Sequence, residues 1–152
     1  MVFRGISNLN LDAKGRIAMP ARYRDAISTD ASGQVVVTVD HTDRCLLIYP
    51  MNEWIKVEQT LMSLPNMNRR VRNMQRLILG HASEHELDGQ GRMLLPLPLR
   101  EFAGLDKKSV LVGQLNKFEL WDADTWSEAR DQWIAEAQDD DENDEVLNQV
   151  SM

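Results

Sequence analysis

Leu9 and Leu11 alternate with polar Asn8 and Asn10, the period-two pattern of a half-buried strand. The stretch Asp12-Ala13-Lys14-Gly15 that follows predicts a hairpin turn. Asp can accept hydrogen bonds from amides two residues on, and Gly can take positive φ. Ile17 and Met19 resume the alternation on a returning strand, and Pro20 stops it and suits a helix start, so a short helix is expected over about 20–28. Val35-Val36-Val37-Thr38-Val39 reads as a third strand and 46–49 as a fourth. Trp54, Val57, Leu61 and Leu64 keep helical spacing and predict a closing helix.

The same order then recurs. Met93 and Leu95 alternate, Pro96 opens an expected helix over about 96–104, and Val110-Leu111-Val112 and 118–121 are strands. Asp122 is a suitable N-cap for a last helix whose Trp126, Ala129 and Trp133 share one face. All four tryptophans are expected to pack. Between the copies, 66–80 reads as a linker helix with Val71, Met74, Leu77 and Ile78 as its stripe and Gly80 as its stop.

The recurrence extends to residue identity. Leu11-Asp12-Ala13-Lys14-Gly15-Arg16-Ile17-Ala18-Met19-Pro20 returns as Leu87-Asp88-Gly89-Gln90-Gly91-Arg92-Met93-Leu94-Leu95-Pro96, at an offset of 76, and Arg24 and Arg100 extend the match. The segments 45–54 and 117–126 match at an offset of 72. Two copies of one unit follow: repeat 1 over 5–63, a linker helix over 64–80, repeat 2 over 81–137, and an acidic, disordered tail over 138–152. Each copy is ββαββ plus a helix, an α+β, mostly β unit. A unit of fewer than about 60 residues buries too little apolar surface to stand alone comfortably, so the copies are expected to share one core as a pseudo-dimer.

Charge changes the picture of what such a fold binds. The 152 residues carry a net charge of −7, which as a bulk figure argues against nucleic acid. The distribution is uneven: residues 1–80 sum to +4 and residues 81–152 to −11, with the acidity concentrated between Glu128 and Glu145. Hydrophobic residues are 43% and charged residues 27%, close to a globular average. No apolar run approaches the roughly 18 residues of a spanning helix, and the N-terminus lacks a secretion signal's apolar core. One cysteine, Cys45, cannot form an internal disulfide, which fits a cytoplasmic compartment.

The strongest local chemistry lies in the two Asp-x-x-Gly-Arg turns. Arg16 and Arg92 follow tight turns that would project them from a rigid sheet, and Arg suits bidentate contact with phosphate or guanine. Lys14, Arg22 and Arg24 lie nearby in sequence, and Arg4 is a further candidate; Asp12, Gly15, Asp88 and Gly91 would shape the turns. An alternative stays open, in which Asp12–Arg16 and Asp88–Arg92 pairs only rigidify the chain. Arg69, Arg70, Arg72 and Arg76 on the linker helix are either a second phosphate strip, a solvated face, or partners for the acidic half. His81 and His85 are four apart, but no third ligand has suitable spacing, so no metal and no cofactor is expected. Cys45 is expected to be a packed thiol. No nucleophile–base motif, phosphate loop or dinucleotide fingerprint occurs, so neither an enzyme nor a small-molecule substrate is expected.

At Phe3-Arg4-Gly5, the paired Leu-Asp-x-x-Gly-Arg-x-x-x-Pro motifs, Leu79-Gly80-His81-Ala82 and Asn116-Lys117-Phe118-Glu119-Leu120-Trp121, the chain resembles the MraZ family of bacterial transcriptional regulators. The resemblance covers about residues 1–135. It implies two AbrB-like, swapped-hairpin halves in one chain. It further implies ring-shaped homo-oligomers that bind double-stranded DNA at direct repeats in their own promoter, upstream of the division and cell-wall gene cluster, and repress it in a nucleoid-associated state. It places DNA binding on Asp12–Arg16 and Asp88–Arg92. Gln90 stands where Lys14 stands in the first copy, which makes the first half the expected main contact. The competing expectation is an oligomeric assembly protein that acts through protein partners.

Overall fold

The computed structural model describes residues 2–139 and 145–150. Repeat 1 contributes β1 (Ile6–Asn10), β2 (Arg16–Ala18), α1 (Ala21–Ala31), β3 (Gln34–Val39), β4 (Leu46–Pro50) and α2 (Met51–Ser63). After α3 (Arg69–Gly80), repeat 2 contributes β5 (Ser83–Glu86), β6 (Arg92–Leu94), α4 (Leu97–Phe102), β7 (Lys108–Gly113), β8 (Phe118–Asp122) and α5 (Ala123–Gln138), and α6 (Glu145–Asn148) follows. Of the expected tail, residues 140–144, 151 and 152 lie outside the described residues.

The two repeats are interleaved strand by strand. Six strands form one antiparallel sheet in the order β1-β7-β8-β4-β3-β5, and β2 and β6 form a separate two-stranded ribbon. Edge strand β1 pairs with β7 of the other repeat, from Ile6 opposite Val112 to Asn10 opposite Lys108. In the matching place β5 pairs with β3, from Gln34 opposite Glu86 to Val37 opposite Ser83. The repeats also join through β4–β8, with Leu46 opposite Leu120.

This arrangement corrects the hairpin expected between β1 and β2. The chain does reverse there, but its two arms pair with opposite-repeat strands instead of with each other. Crossing over places Ile17 of one repeat and Met93 of the other, 1% and 3% exposed, in the same apolar cluster. Neither repeat alone has the apolar surface to bury both faces of so short a sheet.

Face alternation along the strands sorts the core. Val35, Val37, Val39, Leu46, Ile48, Phe118 and Leu120 point to one side, where α1, α4 and the ribbon cover them. Val36, Leu47 and Tyr49 point to the other and meet Trp54 and Leu61 of α2 and Ile78 of α3. Val110, Val112 and Trp121 on that second side meet α5. Both faces of β3 are covered, which explains its run of valines, and the one polar residue within that run, Thr38, donates to the Ile78 carbonyl. The helices hold more residues than the strands; the mostly-β expectation describes the core they cover, not the residue count.

Local signals place the helix ends. Pro20 and Pro96 are the N-caps of α1 and α4. Asp122 caps α5, its side chain accepting from the Thr125 amide at 3.2 Å. The linker helix begins at Arg69, later than expected, because the Asn68 side chain accepts from the Arg70 amide at 2.8 Å. Trp133 packs edge-on against Trp121 and Trp126 as expected, and the residue is still 40% exposed.

Candidate nucleic-acid interface

One carboxylate organises each Asp-x-x-Gly-Arg turn. Asp12 Oδ1 accepts from the amides of Lys14 and Arg16, each at 2.9 Å, and Oδ2 accepts from Arg16 Nε at 2.7 Å. The main chain adds Asp12 N–H to the Arg16 carbonyl and Gly15 N–H to the Asp12 carbonyl, both 3.0 Å. Gly15 takes φ +86°, a region that disfavours any side chain. Repeat 2 builds the same turn: Asp88 accepts from the amides of Gln90 and Arg92 at 2.9 and 2.8 Å and from Arg92 Nε at 2.9 Å, with Gly91 at φ +73°. The Arg16 amide, then its guanidinium, hold the Asp12 carboxyl down at about 2. The Asp88 carboxyl is lowered in the same way, chiefly by the Arg92 amide.

The ribbon then fixes where both arginines point. Its register sets Arg16 opposite Leu94, Ile17 opposite Met93 and Ala18 opposite Arg92. Ile17 and Met93 are buried, so Arg16, Ala18, Arg92 and Leu94 share the outward face. Diagonal neighbours on such a face lie about 7–8 Å apart. Each guanidinium spends its Nε on the aspartate and is about a third exposed (31% and 36%). Its two terminal nitrogens are left for an external acceptor, in an orientation already set. Two-stranded ribbons of this width enter the major groove of B-DNA, and Arg pairs there with guanine O6 and N7.

The other expected basic residues separate into different places. Lys14 stands exposed at the tip of the first turn. Arg22 donates to Ser7 Oγ at 2.6 Å, at the β1 edge, with its guanidinium 4.7 Å from the Tyr23 ring centre. Arg4 lies on the N-terminal segment, where its carbonyl accepts from the Tyr23 hydroxyl at 2.6 Å. Arg24 donates through Nε to the Met19 carbonyl at 2.5 Å and lies against Gly91 of the other repeat's turn. Arg100, which the sequence showed only as an extension of the internal match, takes the equivalent place against Gly15. The α3 arginines, all exposed, lie on a helix whose Ile78 packs with Val36 and Leu47 on the sheet face away from Ile17, while its Leu77 reaches the cluster that holds Ile17.

Other reactive groups are engaged within the fold. His81 Nδ1 lies 2.7 Å from the Leu77 carbonyl and His85 Nε2 2.7 Å from Ser83 Oγ, so the two imidazoles serve different partners. Donor atoms of Asp40, Cys45 and Glu119 converge within 4.8 Å, a grouping of the β3–β4 loop with β8 that spacing along the chain does not reveal. Cys45 donates to Asp40 Oδ2 at 3.8 Å, and Glu119 accepts from Trp121 Nε1 at 3.0 Å. Burial first, then the nearby Glu119 and Asp40, push the thiol far up, so it stays neutral and unreactive.

Comparison with known proteins adds the family. A family model described as "MraZ protein, putative antitoxin-like" matches the chain twice, over residues 2–77 and 78–149. A protein named transcriptional regulator MraZ from Thioalkalivibrio sulfidiphilus (strain HL-EbGR7) is 60% identical over 99% of this chain and all of its own length. Proteins of the same name from Alkalilimnicola ehrlichii and Pseudomonas putida (strain F1) are 52% and 53% identical, over 95% and 83% of this chain and 97% and 83% of theirs.

Proposed function

The chain belongs to the MraZ family, and from that premise we propose that it is a sequence-specific DNA-binding transcriptional repressor. In this reading it binds direct repeats in its own promoter, upstream of the division and cell-wall gene cluster, as a ring-shaped homo-oligomer. It works in the cytoplasm on the nucleoid, by occluding the promoter, and not as an enzyme. No helix among the described residues is long and apolar enough to cross a membrane. The units are repeat 1 over 5–63, a linker over 64–80, repeat 2 over 81–137 and an acidic tail over 138–152.

One observation carries the reading: two aspartate-held arginines share the exposed face of a ribbon of groove-entering width. Lys14, Arg16 and Arg92 are the direct contacts; Arg4 and Arg22 flank them, and Arg24 supports the second turn. Each neutralised phosphate contributes a salt slope of about −0.9, so a few cations on an acidic protomer bind weakly. Several protomers on repeated sites add their contacts at high effective concentration. Trp133 and Ile134 in the C-terminal half of α5, 40% and 50% exposed, favour contact between copies. The same surface keeps the second reading, an assembly protein acting through protein partners.

Footprinting on the DNA just upstream of the gene, at several salt concentrations and with native mass measured alongside, tests this. Salt-sensitive protection of repeated sites by an oligomer is expected. Intact oligomers that leave the promoter unprotected would favour the second reading.

A further inference from the structure

Gly15 and Gly91 are tight in a way their turns alone do not require. A Cβ on residue 15 would lie 2.7 Å from Arg100 Cζ and 2.9 Å from its Nε. A Cβ on residue 91 would lie 2.7 Å from Arg24 Cδ, with Arg24 Nε closer still. In both cases the arginine comes from the first helix of the other repeat, and its guanidinium end occupies the place where a side chain would otherwise stand.

The contact is closed by a relay through one buried residue. Leu95 donates its amide to the Gly15 carbonyl at 3.0 Å, and its own carbonyl accepts from Arg100 Nε at 3.0 Å. Met19 does the same in mirror fashion, donating to the Gly91 carbonyl at 2.8 Å and accepting from Arg24 Nε at 2.5 Å. Leu95 and Met19 are both fully buried, so the relay is anchored in the core. The planar guanidinium is the group that can lie against a glycine peptide while one N–H reaches back to a carbonyl.

We propose that Arg24 and Arg100 are positioning residues for DNA recognition, each holding the turn of the opposite repeat so that Arg16 and Arg92 are presented as one fixed pair. The inference rests on the reading of those arginines as DNA contacts. It adds that neither turn is set by its own repeat alone: the turn bearing Lys14 and Arg16 depends on Arg100, and the turn bearing Gln90 and Arg92 depends on Arg24. The interleaving of the repeats thereby serves presentation as well as core formation.

The test is residue-resolved amide hydrogen exchange on the full-length protein without DNA, together with affinity for the upstream promoter DNA. R100A is expected to speed exchange at Lys14 and Arg16 by about tenfold while Gln90 and Arg92 stay within about twofold, and R24A is expected to do the reverse. R100K, which can still reach the Leu95 carbonyl, is expected to recover part of the loss in exchange protection and in affinity. A uniform rise across the amides of β3 and β4, a change confined to the variant's own repeat, or no change at all would overturn the proposal. If R100A does not fold, R100K and the R24A and R24K pair carry the same crossed comparison. Because exchange is read without DNA, the crossed pattern is decided separately from the DNA-binding reading, which fails if R16A leaves promoter affinity unchanged.

Discussion

Arg16 and Arg92, one from each repeat, lie two register positions apart on the outward face of a single ribbon, Arg16 opposite Leu94 and Arg92 opposite Ala18. Each is held by the aspartate four residues before it. If Arg16 reads a base, R16A should cost about 1–3 kcal/mol on the native site and relax discrimination at one position. K14A should weaken binding to all sequences alike and reduce the salt slope by about 1. Fluorescence anisotropy across a salt series, on native and scrambled duplexes, separates these outcomes.

Gly15 combines positive φ with a guanidinium in van der Waals reach. G15A is expected to destabilise the fold by about 1–3 kcal/mol, from backbone strain plus displacement of Arg100. Gly33 also has positive φ but no neighbour at its Cβ position. G33A should therefore cost less, by the amount the crowding adds. Urea unfolding midpoints of the two variants check the order; equal costs would mean that Arg100 yields freely.

The shape of each turn was legible in the sequence because its own hydrogen bonds are local, whereas the arginine of the other repeat that packs against it was not. Asp12, Gly15 and Arg16 sit within five residues and satisfy one another. Pro20, Pro96 and Asp122 marked helix starts for the same reason, and the valine run marked β3 as a strand. The partner of β1 was not legible. Ile6 faces Val112 across the repeats, and alternation specifies which face of a strand is buried but not which strand lies beside it. The place of Arg24 was hidden on the same account: it lies near Arg16 in sequence, and the interleaving sets it against Gly91. Trp133 keeps the spacing of a core residue and does meet Trp121 and Trp126, but spacing alone did not reveal that it would stay 40% exposed.

Asp12 gives the first turn a pH dependence with a definite sign. Its folded value of about 2 lies below the ordinary 3.8, so the carboxylate form is favoured by folding. Its contribution is fully present above 3.8 and is lost as pH falls from there through about 2. The Lys14 and Arg16 amide resonances should therefore titrate with a midpoint well under 3.8, and Gln90 and Arg92 should follow Asp88, which is shifted in the same direction. A midpoint at the ordinary value would mean that the hydrogen bonds to Asp12 are not formed in solution.

Ile134 offers the cleanest test of whether copies meet through α5. It is 50% exposed in the C-terminal half of α5, next in sequence to Trp133, and replacing it removes none of the ring contacts among Trp121, Trp126 and Trp133. Truncating a residue at the centre of an interface can cost more than about 1 kcal/mol, which is roughly fivefold in a dissociation constant. I134S should accordingly shift the native mass towards smaller species at a given concentration while thermal stability changes little. Affinity for a duplex with one repeat should stay the same, because the ribbon is untouched, and affinity for tandem repeats should fall, because the effective-concentration gain is lost. Unchanged mass and unchanged tandem-site affinity in I134S would move the contact between copies to another surface.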